Sequence, residues 1–100
     1  MRQYVVYHFQ GRTWGRDFDE TEVNLINYRA VASLFADDLE DVFRLTNNRE
    51  RSWRDNKAIR LMDFQPESQR STSVGDVVQD GLLNKFYIVA PMGFREVKAI

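Results

Sequence analysis

Hydrophobic and polar residues alternate most regularly between Arg70 and Val97, in the stretch RSTSVGDVVQDGLLNKFYIVAPMGFREV. A period of two marks a half-buried strand, and three short strands fit here. Residues 76–79 make the first, and Asp80-Gly81 marks the turn that follows. Residues 85–90 make the second, with Phe86, Ile88 and Ala90 on one face and Tyr87 and Val89 on the other. Pro91-Met92-Gly93 breaks the ladder, because proline has no N–H to donate and glycine takes up positive φ readily. Residues 94–98 make the third, with Phe94, Glu96 and Lys98 opposed to Arg95 and Val97.

The N-terminal segment RQYVVYHF alternates in the same way, Tyr4, Val6 and His8 against Val5, Tyr7 and Phe9. Residues 10–22 are rich in Gly, Asp and Arg and read as a loop, pinned by Trp14 and Phe18. Residues 23–26 fit either one helical turn or an extended lead-in. Residues 28–35 are apolar and β-branched enough for a strand, with alanines weakening the pattern. A helix is expected from Asp37, which can cap it, with Glu40 at capping-box spacing and Asp38, Glu40 and Asp41 at the positive end of the helix dipole. Leu39, Val42 and Phe43 give that helix an i, i+3, i+4 stripe, and Asn47-Asn48 supplies a stop. Residues 49–60 fit a second short helix or an ordered loop.

The order of elements predicts a small α+β protein: one domain over residues 1–100, a mainly antiparallel sheet of about five strands, and one principal helix packed on it. Residues 48–73 form an irregular basic connection within it, and residues 70–98 a C-terminal meander. At 100 residues there is room for a single core, to which thirteen aromatics contribute. No cysteine is present, which rules out disulfides and thiolate metal sites. No apolar run reaches the roughly 20 residues of a membrane helix, and no signal or transit pattern is present, so the expectation is a cytoplasmic protein with no membrane partner.

The net charge of −1 hides a segregation. Residues 17–41 carry eight acidic side chains against one basic, and residues 44–60 carry six basic against two acidic. Within the basic part, Arg49, Arg51, Arg54, Lys57 and Arg60 surround Trp53, with Arg12, Trp14 and Arg16 as a second cluster. Arginines around an aromatic ring suit single-stranded nucleic acid, charge for phosphate and ring for base stacking. They suit a protein interface equally well, where both residue types are enriched.

Catalytic signals are thin. His8 is the only histidine, and it lies mid-strand, where a structural role is expected. The acids at 37–41 are accounted for by capping and a solvated helix face. The run Asp17-Phe18-Asp19-Glu20 lacks the alternating oxygen ligands of a calcium loop. The glycines are isolated and make no phosphate cradle. The expectation is therefore no enzyme, no cofactor and no metal.

An ordered series of segments carries a resemblance: LEDVFRLTN (39–47), RSWRDN (51–56), RSTSVGDVV (70–78) and GFREV (93–97). The chain resembles YodL-like proteins, small bacterial, phage and mobile-element proteins with an N-terminal strand, a leucine-acidic helix, an Arg-Ser-x-Ser-Val-x-Asp-Val segment and a terminal Gly-Phe. The resemblance covers most of the chain and is strongest from Leu39 onward; the longer region 49–69 departs from shorter members. It implies an accessory-gene context and no catalytic residue. The function expected is a non-catalytic module that docks on another protein, such as a host enzyme or defence complex, with single-stranded nucleic-acid binding as the alternative. The motif residues Ser71, Ser73, Gly75, Asp76, Gly93 and Phe94 are expected to be structural. Ser71 and Ser73 would bond nearby backbone, Gly75 would take a special dihedral, and Asp76 would pair with Arg70. The alternative for Arg70, Ser71 and Ser73 is a small anion site. Oligomeric state is not encoded in any of these features, although an unpaired edge of the meander could add a strand.

Overall fold

The computed structural model describes residues 1–11, 21–47, 59–62 and 70–100. They form a seven-stranded mixed sheet with one helix packed on it. The strands are β1 (Arg2–Phe9), β2 (Glu22–Val23), β3 (Tyr28–Ala36), β4 (Ile59–Leu61), β5 (Val77–Asp80), β6 (Lys85–Val89) and β7 (Phe94–Ala99), and helix α1 spans Leu39–Leu45. Their order in the sheet is β2-β7-β6-β5-β1-β3-β4. All pairings are antiparallel except β2 with β7. The two strands beyond the expected five are short edge strands, β2 and β4. Three residues or fewer show no periodicity to read.

The C-terminal meander has the predicted faces, with Phe86 opposite Val97 and Val89 opposite Phe94. Its first turn differs. Asp80 belongs to β5, and the reversal runs through Gly81–Asn84. The Asp80 carboxylate organises it by accepting the backbone N–H groups of Leu82 and Leu83. Gly81 fits closely there, since a Cβ would stand 3.0 Å from the Gln3 carbonyl oxygen and the two strands would have to give by a few tenths of an ångström. Residues 23–26 are both of the things expected: β2 ends at Val23 and a 3₁₀ turn spans Leu25–Asn27.

Helix α1 starts one residue later than expected. Asp38, not Asp37, is the N-cap, accepting the Asp41 N–H, while the Asp41 carboxylate accepts the Asp37 N–H. The first bond is the N-cap half of a capping box; the return bond goes to the residue before the cap rather than to the cap itself. The helix stops at Thr46, ahead of the expected Asn47-Asn48, and the Asn47 side chain still caps by donating to the Phe43 carbonyl.

Each face of the sheet carries its own core. On the helix side Tyr4, Val6, Leu34, Ala32 and Val78 pack against Val42, with Leu39 and Leu45 beside it. A bulge in β3, where Val31 is extra between Ala30 and Ala32, turns both Val31 and Ala32 to this side. On the other face Val23, Tyr28, Val77, Ile88 and Val97 form the second core. The sheet must coil to enclose it. In a flat sheet Gln10 and Ile100 would stand roughly 30 Å apart, three ladder spacings across and about eight residues along. Here the Leu25 N–H donates to the Ile100 carbonyl and the Asn27 carbonyl accepts the Gln10 N–H. Leu25 and Asn27 can be only about 7 Å apart. The 3₁₀ turn thus draws the end of β7 to the end of β1.

Candidate functional site

The segment RSTSVGD crosses the helix-side face of the sheet just beyond the C-terminus of α1. Its centre is Asp76, fully buried at the start of β5. Buried carboxylates persist only when paired and hydrogen-bonded, and Asp76 is both. The Arg70 guanidinium grips it in a fork, Nη1 at 2.6 Å from Oδ2 and Nη2 at 2.7 Å from Oδ1. The backbone N–H groups of Phe9 and Ser73 add two more bonds, each 2.8 Å. Arg70 also reaches the carbonyls of Phe9 and Ser71 and the Ser73 hydroxyl. Gly75 supplies the turn into β5 at φ +96°, a conformation that costs other residues dearly.

His8 faces the same cluster from β1. Its Nε2 is 3.0 Å from the Thr72 Oγ1 and 3.9 Å from an Asp76 oxygen. Burial lowers the imidazole pKa to about 4, with Asp76 opposing the shift and Arg70 and Arg29 adding to it. His8 is therefore neutral at pH 7. The Thr72 N–H donates to the Thr46 carbonyl at the end of α1. One threonine thus ties the segment to helix and histidine together. The structure pairs Asp76 with Arg70 and gives Gly75 its positive φ; the Ser73 hydroxyl accepts from Arg70 rather than bonding backbone, and it is the Ser73 backbone that bonds Asp76. The positive charge of Arg70 is directed into Asp76.

The predicted binding residues are spread out. Arg49, Arg51, Trp53, Arg54 and Lys57 lie outside the described residues, as do the Arg12–Trp14–Arg16 cluster and the acidic run 17–20. Arg60 is on β4 opposite Ser33. Ser33 is opposite Val5, so Arg60 projects from the face away from α1, whereas Arg70 lies on the helix side. The sheet separates them. Gly93 takes φ +77° in the β6–β7 turn, and Phe94 packs edge-on against Phe43 of α1 with ring centroids 6.5 Å apart. Among the described residues no group of three or more His, Cys, Asp or Glu side chains is placed to hold a metal ion.

Sequence reasoning passed over a surface at the end of the sheet where β1 begins. Phe35 is 61% exposed, and Leu82, Leu83 and Met1 are 70%, 47% and 89% exposed. Register brings them together: Phe35 is opposite Gln3 on β1, and the Gly81 N–H donates to the Gln3 carbonyl from the other side. A signal was available for each. Leu34 and Phe35 are adjacent in a strand, so only one can face the helix, and two consecutive leucines after Asp-Gly sit where a turn usually places polar residues. Arg60 and Phe35 are diagonal neighbours on the same face, beside a cleft of about 460 Å³ lined by Gln3, Val5 and Ser33. Comparisons with protein-family models, with curated proteins and with solved structures returned no match.

Proposed function

We propose that this chain is a non-catalytic accessory protein that docks on another protein through the end of the sheet bearing Met1, Phe35, Leu82 and Leu83. The observation that carries this reading is the exposure of these four large apolar side chains, which strand register sets at one end of the sheet. Single exposed hydrophobics are ordinary, but a contiguous group of them is characteristic of interaction surfaces. The Arg70–Asp76–His8 cluster supports the same reading from the other end of the molecule. Its charged groups are engaged with one another, which suits a rigid scaffold presenting a surface elsewhere. The resemblance to YodL-like proteins, with its accessory-gene setting and bacterial cytoplasm, fits a protein whose work is to bind a larger one.

Phe35 next to Arg60 favours a second reading, single-stranded nucleic acid stacked on an open sheet face. One experiment separates the two: capture by the tagged protein from lysate of its source, with and without nuclease, alongside a Phe35→Ser/Leu82→Ser variant. A discrete protein that survives nuclease and is lost with the variant is expected. Recovery that vanishes with nuclease would replace the first reading with the second, and a protein retained equally by the variant would overturn the assignment of this surface.

A further inference from the structure

The turn between β6 and β7 carries a protrusion and a hollow side by side. Met92, in the turn, is 93% exposed, at a place where polar residues are the rule. The Ala90 N–H donates to the Gly93 carbonyl at 2.9 Å, and Pro91 has its φ fixed by its ring. The backbone that holds Met92 out is therefore already ordered. Between this turn and α1 lies an open groove of about 180 Å³. Phe43, Val74, Val89, Pro91 and Phe94 make it apolar, and Glu40 is the one charged residue in its lining. Sites for whole small molecules usually measure roughly 300–1,000 Å³. This one suits a single side chain.

We propose that the groove receives Met92 of a second copy of this chain, while the Met92 beside it enters the groove of that copy. A two-fold interface sets one patch against itself, so the patch must supply both a knob and the hole that takes it. One turn does both here: Pro91 lines the groove, and Met92, next in the chain, fills the opposite one. Methionine suits the task, being unbranched, flexible and favourable against aromatic rings such as Phe43 and Phe94. Charge permits the approach. The net charge is −1, so two copies repel each other only weakly. Glu40 and Arg44 lie one turn apart on α1, and across a two-fold axis the acid of one copy can face the Arg44 of the other, which also binds Asp41. A turn and one flank of a seven-residue helix make a smaller patch than the roughly 800 Å² per partner of a lasting interface. The association is thus weak and concentration-dependent. It uses the opposite end of β6 from Leu82 and Leu83, so it does not depend on the docking reading.

The test uses the full chain in sedimentation equilibrium from micromolar to millimolar concentration, with Met92→Leu and Met92→Asp variants. Both change only an exposed turn side chain and should keep the native spectrum. A monomer–dimer equilibrium with a Kd on the order of 100 μM is expected. Met92→Leu should keep it within a few-fold, and Met92→Asp should weaken it about a hundredfold, because symmetry removes both knobs at once. In a mixed sample with labelled methionine methyls in half of the copies, the Met92 methyl should show contacts to the Phe43 and Phe94 rings of unlabelled copies. A chain that stays monomeric at millimolar concentration, a dimer that Met92→Asp leaves intact, or Met92 contacts to other rings only would overturn the proposal. Growth beyond the dimer would overturn the two-fold pairing in favour of a head-to-tail one.

Discussion

The buried imidazole of His8 makes folding stability depend on pH in a window where no other shifted group among the described residues titrates. In the unfolded chain a histidine binds its proton with a pKa of about 6.5, and in the folded protein burial lowers that value to about 4. Between those values the unfolded state is the better proton acceptor, so stability rises with pH across the window and falls as pH drops from 6.5 towards 4. The difference of about 2.5 pKa units, at about 1.4 kcal/mol each, amounts to roughly 3 kcal/mol. That is a large share of the roughly 5–15 kcal/mol by which domains are stable. Urea unfolding at a series of pH values measures it. With a slope near 1–2 kcal/mol per molar urea, the midpoint should fall by about 2 M between pH 7 and pH 4.5. Asp41 is held below the usual carboxylate range by its bond to Arg44, and Asp80 by its Leu83, Arg2 and Leu82 bonds, which outweigh the opposing effect of burial. Both act in the same direction, but only at lower pH. Since His8 is the only histidine, a His8→Gln variant should flatten the dependence above pH 4.5. A wild-type midpoint that does not move, or a native His8 ring titrating near 6.5 by NMR, would refute the assignment of a neutral, desolvated imidazole.

Arg70→Ala should cost about 3 kcal/mol in the same unfolding assay, because it leaves the fully buried Asp76 carboxylate without its counter-charge; a loss under 1 kcal/mol would place the stability of the cluster in the backbone donors instead. Asp38→Ala should cost about 1 kcal/mol and Asp37→Ala close to nothing. The reverse order, read from the two thermal midpoints, would return the cap to Asp37.

What could be read from the sequence was what depends on local periodicity. β1, β6, β7 and α1 announce themselves by alternation or by a helical stripe, and their faces are as read; β3 was legible as a strand from its composition, without its faces. The helix cap was misplaced because Asp37 and Asp38 are chemically equal candidates, and only the backbone geometry decides between them. The β5–β6 turn was misread because Asp-Gly is also a two-residue hairpin signal; here the aspartate acts through its side chain on the next two N–H groups. β4 and the parallel β2 pairing depend on partners far along the chain. The Arg70–Asp76 pair was legible at a separation of six residues, while His8 with Thr72, 64 residues apart, was not.

The bulge at Val31 reverses the parity of β3. Towards the α1 end of the strand, even-numbered residues of β1 and β3 share the helix side, as Tyr4 with Leu34 and Val6 with Ala32. Past the bulge, even pairs with odd: His8 stands beside Arg29, and Tyr28 is sent to the opposite face, where it meets Phe9. One strand therefore serves two interiors in two reading frames. Deleting Val31 would close the bulge into a regular ladder with every other β1–β3 pair and face unchanged, at the cost of one fully buried side chain. Val31 is in this sense an insertion that the ladder accommodates, and what it adds is a second buried side chain beside Ala32 on the helix side.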